Sequence, residues 1–230
     1  MKIFVASTGK CGTVFMAHMF RNLTDFPSGH EPKPKCMGEV MEDVNNNKVL
    51  RSSTKRVLQK KVEQIRGDAK DGNYFESSNF FMKSFVYTVL GNFDDVCCIH
   101  LHRDLYGLLT SFAGQFKHYR YRNRRQWWLQ SHWKRNILRT KEGLDYFETI
   151  VWNYLEIRAR FYALKKKFVK TYDFDFNDIN NLNAYYKMFN YFGIEAEQVD
   201  EIPNFERNAT RNITFRGAAR IIKNVKRSVK

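Results

Sequence analysis

The chain is poor in cysteine: four residues in 230, with no two spaced C-x-x-C. Cys11 and Cys36 stand apart, and Cys97 and Cys98 are neighbours inside an apolar run. That usage fits free thiols in a cytosolic protein better than a disulfide framework. No His and base pattern surrounds Cys11, so it reads as a small loop residue rather than a nucleophile. Proline is equally sparse, and three of the four, Pro27, Pro32 and Pro34, crowd into Asp25 to Pro34, which reads as a loop. No apolar run approaches the ~18 to 20 residues of a membrane span. The start of the chain lacks the basic residues, long apolar stretch and small-residue cleavage site of a secretory signal, so a cytoplasmic location is expected. There is no internal repeat and no low-complexity block. His100 and His102 alternate on one apolar run, but no further ligands follow at fitting spacing, so no metal site is expected. They read as core or near-site residues.

Acid is missing from two stretches. Residues 115 to 141 carry nine Lys and Arg and no Asp or Glu, and residues 207 to 230 carry eight and none. The whole chain has 39 basic and 24 acidic residues, a net charge of +15, so the remainder is close to neutral. Basic charge concentrated in this way argues for anionic ligands at particular places.

The chain is long enough for one domain with a sizeable core, and its aromatic share of 16% is high. Strand-like runs at Lys2 to Ala6, Tyr74 to Phe81, Asp95 to His102 and Phe168 to Tyr172 alternate with helical spacing. The helices expected are Val14 onward, Thr54 to Arg66, Lys83 to Phe93, Leu105 to Phe116, Tyr146 to Lys166 and Leu182 to Phe192, the last closed by Gly193. Residues 39 to 49 are polar, and Asn45-Asn46-Asn47 reads as a turn. The alternation predicts a single α/β domain over 1–230 with a mainly parallel central sheet flanked by helices, and ligands at the carboxyl ends of its strands.

The first strand runs into Ser7-Thr8-Gly9-Lys10-Cys11-Gly12-Thr13 and then a helix. A glycine-containing loop between strand and helix aims backbone N–H groups and a helix dipole at an anion. Lys10 adds positive charge and Thr13 a hydroxyl. The order is not that of a Walker loop, since the lysine precedes the second glycine. Gly9-Lys10-Cys11-Gly12-Thr13-Val14-Phe15 resembles the 5′-phosphosulfate loop of PAPS-dependent sulfotransferases, written P-K-S-G-T-T-W or R-K-G-G-T. Ile99 to Phe112 is similar to that family's 3′-phosphate segment: an apolar strand, an arginine (Arg103) and a serine eight residues on (Ser111). Ile213-Thr214-Phe215-Arg216-Gly217 is similar to the family's R-K-G segment, matching through Arg216 and Gly217 only. Gly9 replaces the usual proline, and Phe15 stands where many members carry a tryptophan against the adenine.

The resemblance implies a P-loop-like fold and transfer of a sulfuryl group from PAPS to a hydroxyl or amine, with PAPS as donor and no metal. Lys10 would stabilise the leaving phosphate, helped by the Gly12 and Thr13 amides. Glu31 is the preferred base, His30 close behind, and Glu76 third, in an E-x-S segment like the family's near the acceptor site. The basic aromatic stretch would hold the acceptor or form a lid. Arg120, Arg122, Arg124 and Arg125 suit an anion there, and Tyr119, Trp127 and Trp128 a sugar or aromatic ring. Two other readings stay open. One is a nucleic-acid-binding protein that uses the same arginines and aromatics. The other is a P-loop kinase with Asp104 as the acid that holds Mg2+, although the loop order differs.

Overall fold

A computed structural model of the chain describes residues 1–113, 124–140 and 143–203. The first strand, β1 (Lys2–Ala6), is apolar because both of its faces are covered: Ile3 to Ala6 are all fully buried. It pairs in parallel with β3 (Tyr74–Ser77) on one side and β4 (Val96–His102) on the other. Outside these lie β2 (Ser28–His30), against β3, and β5 (Thr171–Asp175), against β4. The sheet is five-stranded and parallel, in the order β2-β3-β1-β4-β5. The chain moves from β1 towards β2 and β3 on one side and later to β4 and β5 on the other. The carboxyl end of β1 is therefore the switch point where a parallel sheet opens a crevice.

Alternation along the strands separates two apolar layers. Ile3, Val5, Phe75, Cys97, Ile99 and Phe174 face α1 (Thr13–Leu23), α5 (Leu105–Ala113) and α8 (Leu182–Phe192). Phe4, Ala6, Tyr74, Val96 and Cys98 face α2 (Glu39–Asn46), α3 (Ser52–Asp68) and α4 (Val86–Leu90). A short α6 (Arg124–Trp127) precedes α7 (Tyr146–Leu164), which gives Tyr146 and Ile150 to the first layer and Trp152, Ile157, Phe161 and Leu164 to the second. Asp145 and Glu148 close α7 with a reciprocal capping box. Gly193, at φ 75°, ends α8 in the left-handed turn expected of it.

The α/β class and the parallel sheet agree with the sequence. The last strand is displaced, running from Thr171 to Asp175 rather than from Phe168 to Tyr172. Three further local expectations do not hold. Residues 39–46 form a helix, because the polar Asn45 turns inward and donates to the carbonyls of Met41 (2.6 Å) and Lys83 (2.8 Å). The proline-rich loop contains β2, a three-residue edge strand in which the Pro27 carbonyl accepts from the Phe75 amide. Lys83 to Phe93 is not one helix but a π turn, Phe81–Phe85, followed by α4. No described helix is long and apolar enough to cross a membrane.

Candidate active site

A cleft of about 640 Å³ opens at the carboxyl ends of the five strands. Its floor is the loop after β1. Gly9, Lys10 and Gly12 have φ of 93°, 57° and 88°, left-handed turns that curl this loop along the cleft, and the Gly9 amide donates to Ser7 Oγ at 3.2 Å. Gly12 is also required by space, since a Cβ there would lie 2.8 Å from Ile179 Cδ1. Gly12 caps α1 and brings no side chain to its first turn, whose amides and dipole face the cleft beside Thr13, Val14 and Phe15. Desolvation lowers the pKa of Lys10. Cys11 points the other way, into the core. Its thiol donates to the Gly9 carbonyl at 3.3 Å, and burial pushes its pKa up, so the loop keeps it for packing.

A second wall begins where β4 ends. Arg103 Nη1 donates to the Lys10 carbonyl at 3.1 Å, tying the end of β4 to the loop after β1 across 93 residues. Its guanidinium carbon lies 4.0 Å from the centroid of the Phe176 ring. Its Nε is buried and has no partner among the described residues. Ser111, two turns into α5, lines the same cleft. Asp104 does not. Its carboxylate accepts from the Gly107 amide at 2.7 Å and serves the start of α5.

The third wall comes from β2 and β3. His30 Nδ1 lies 3.2 Å from Ser77 Oγ, which donates to the Thr13 carbonyl at 2.7 Å. Burial lowers the His30 pKa below its usual 6.5, so the ring is neutral at pH 7. Glu31 is buried and lines the cleft; its Oε1 accepts from Asn79 and its Oε2 from Lys35 at 3.2 Å. Among the described residues, three that are not glycine have positive φ, and two of them, Lys10 and Glu31 (φ 48°), are in this cleft. Backbone strain of that kind collects at functional sites.

Sequence reasoning missed several residues here, among them Phe176, Asn79 and Lys83. Lys83 is 1% exposed, donates to Asn79 Oδ1 (2.9 Å) and the Trp127 carbonyl (3.0 Å), and lies over the Trp128 ring. Burial pulls its ammonium down to about 7, although Glu31 raises it. The signal was present: a lone lysine in the apolar run Phe80-Phe81-Met82-Lys83-Ser84-Phe85, where an unpaired charge is costly.

The cleft thus unites Gly9, Lys10, Gly12, Thr13, Val14, Phe15, His30, Glu31, Arg103, Ser111 and Trp127. It excludes Glu76. That carboxylate is fully buried on the opposite face of β3, 2.8 Å from Lys61 Nζ and hydrogen-bonded by the Tyr74 hydroxyl at 2.7 Å. The same Lys61 donates to the Pro32 carbonyl at 3.2 Å, so Glu76 serves the site only by holding the loop that carries Glu31. Arg120, Arg122, Arg216 and Gly217, with the side chains of Arg124 and Arg125, lie outside the described residues. His100 is buried away from the cleft, stacked on Phe161 and 2.7 Å from Asp173. Comparison of the chain with protein-family models, with curated proteins and with solved structures gives no match.

Proposed function

We propose that the cleft is a PAPS site and that the chain is a cytoplasmic sulfotransferase. One observation carries the reading. The Gly9–Phe15 loop, Arg103 and Ser111 are far apart in sequence, resemble separate parts of one family's nucleotide site, and line a single cleft. Phe15 and Phe176 supply aromatic surface beside them.

The residues suit the donor. Lys10 and the α1 amides fit the 5′-phosphosulfate, and the planar fork of Arg103, with the Ser111 hydroxyl, fits the 3′-phosphate. Sulfuryl transfer forms a bond from the acceptor oxygen to sulfur while the bond from sulfur to the 5′-phosphate oxygen breaks. Lys10 meets the charge that develops on that oxygen. Glu31, on the facing wall, takes the acceptor's proton, and the neutral His30 beside it is the second proton acceptor at hand. Trp127, at the β2–β3 side, marks where a carbohydrate or other acceptor would rest.

The test is calorimetric titration with PAP, the desulfated product. Wild type is expected to bind PAP, and Arg103→Ala to bind at least tenfold more weakly. A folded wild type that binds neither PAP nor PAPS overturns the reading. The acid-free stretches favour nucleic acid as the second ligand class, and salt-sensitive RNA binding would then take first place. The kinase reading is weaker, because Asp104 is engaged in capping α5.

A further inference from the structure

We infer that Lys83 is a positioning residue for Glu31 and acts on it through Asn79. The inference rests on reading Glu31 as the proton acceptor. Lys83 sits in the π turn Phe81–Phe85, a wide turn that is rare and often found at functional sites. It donates to Asn79 Oδ1, and the Asn79 amide nitrogen donates to Glu31 Oε1. An ammonium can only donate, so it fixes which end of the Asn79 amide it meets. The amide NH2 must then face Glu31, whose oxygen can only accept when ionised. Lys83 therefore sets the orientation of the group that holds the carboxylate.

The rest of the surroundings agree. Glu31 has a left-handed backbone, and such a residue is kept in place by its neighbours rather than by its own preference. Its amide donates to the Ser77 carbonyl at 3.3 Å, and Lys35 holds its other oxygen. Among the described residues, few charged and titratable groups face Lys83. Glu31 lies across Asn79. Arg160 of α7 donates to the carbonyls of Met82 (3.1 Å) and Lys83 (3.4 Å) and is itself paired with Glu156. The Cys11 thiol is kept neutral by burial. Lys10 and His30 line the same cleft. A deprotonated Lys83 can accept as well as donate, which removes the constraint on Asn79. Whatever depends on Glu31 then acquires an alkaline limit at the titration of Lys83.

The experiment follows the 15Nζ resonance of Lys83 by NMR across pH in wild type, Glu31→Gln and Asn79→Ala, without nucleotide. Wild type is expected to titrate near neutrality. Glu31→Gln should lower the midpoint by on the order of half a unit or more, because an opposite charge is lost. Asn79→Ala should lower it too, because the ammonium loses an acceptor. A midpoint unmoved in either variant overturns the inference: in the first the coupling is missing, in the second the bridge. A lysine that merely fills space would show neither shift. A chain that binds no PAP is a separate result, read by calorimetry, and it strikes the sulfotransferase reading instead.

Discussion

At the scale of single residues, the site depends on how Arg103 is held as much as on its presence. A Cβ on Gly107 would meet Arg103 Nε at 2.9 Å and Asp104 Oδ2 at 2.7 Å, so only glycine leaves the guanidinium where it lies. Gly107→Ala should weaken PAP binding about tenfold, the loss of one misaligned charge-assisted hydrogen bond. Stability should stay level. Alanine in a helix gains up to about 1 kcal/mol over glycine, and disturbing the Asp104 cap costs about as much. Calorimetry together with a urea midpoint checks both halves; lower stability with unchanged PAP affinity would deny Gly107 this role. Such residues are hard to see in a sequence. Lys10, Arg103 and Ser111 are visible because their chemistry matches a spacing. Gly107 matters only through a distance between side chains, and Asn79 only through the lysine and carboxylate it joins.

At the scale of elements, side-chain parity on β3 decides the role of Glu76. Ser77 faces α1, where its hydroxyl donates to the Thr13 carbonyl, so Glu76, one residue earlier, faces α3 and Lys61. Burial raises the Glu76 pKa, and the Lys61 charge and the Tyr74 hydroxyl oppose that rise. Both members of the pair are 1% exposed, so removing one leaves the other charged and buried. Glu76→Gln and Lys61→Met should each cost about 3–5 kcal/mol, whereas Lys61→Met with Glu76→Leu should recover much of the loss. Urea unfolding of the single and double variants measures the coupling, and additive losses would mean the pair is not a unit. The strands and long helices were legible because their periodicity is strong. Helix α2 was not, since its buried Asn45 is satisfied by Arg160 Nη2 at 2.8 Å, 115 residues away, which no local pattern reveals. Strand β2 was hidden for a related reason: an edge strand of three residues takes its register from β3.

At the scale of the whole molecule, the parallel order β2-β3-β1-β4-β5 gathers the ends of all five strands around one cleft, and the cost is a lysine buried beneath it. That cost is readable in stability against pH. Lys83 titrates at about 7 in the folded chain and at about 10.5 in an unfolded one. Between these values the unfolded chain holds a proton that the folded chain has released, so stability rises as pH rises. Below about 7 both states are charged and the full penalty of burial is present. Other groups bound the useful window. Burial lowers the pKa of His30 and His100, which makes the unfolded chain the better proton binder below about 6.5, so their contribution is lost on acidification. Burial raises all four cysteines, so the folded chain is the better proton binder near and above their usual 9.0, and they oppose Lys83 there. From pH 7 to 8.5 Lys83 dominates, and unfolding free energy should climb by about 1.5 kcal/mol. Lys83→Met has no proton to release and should be flat over the same range. Parallel slopes for the two proteins would show that Lys83 carries its ordinary proton in the folded state, and the alkaline limit that its titration sets on Glu31 would then move well above neutrality.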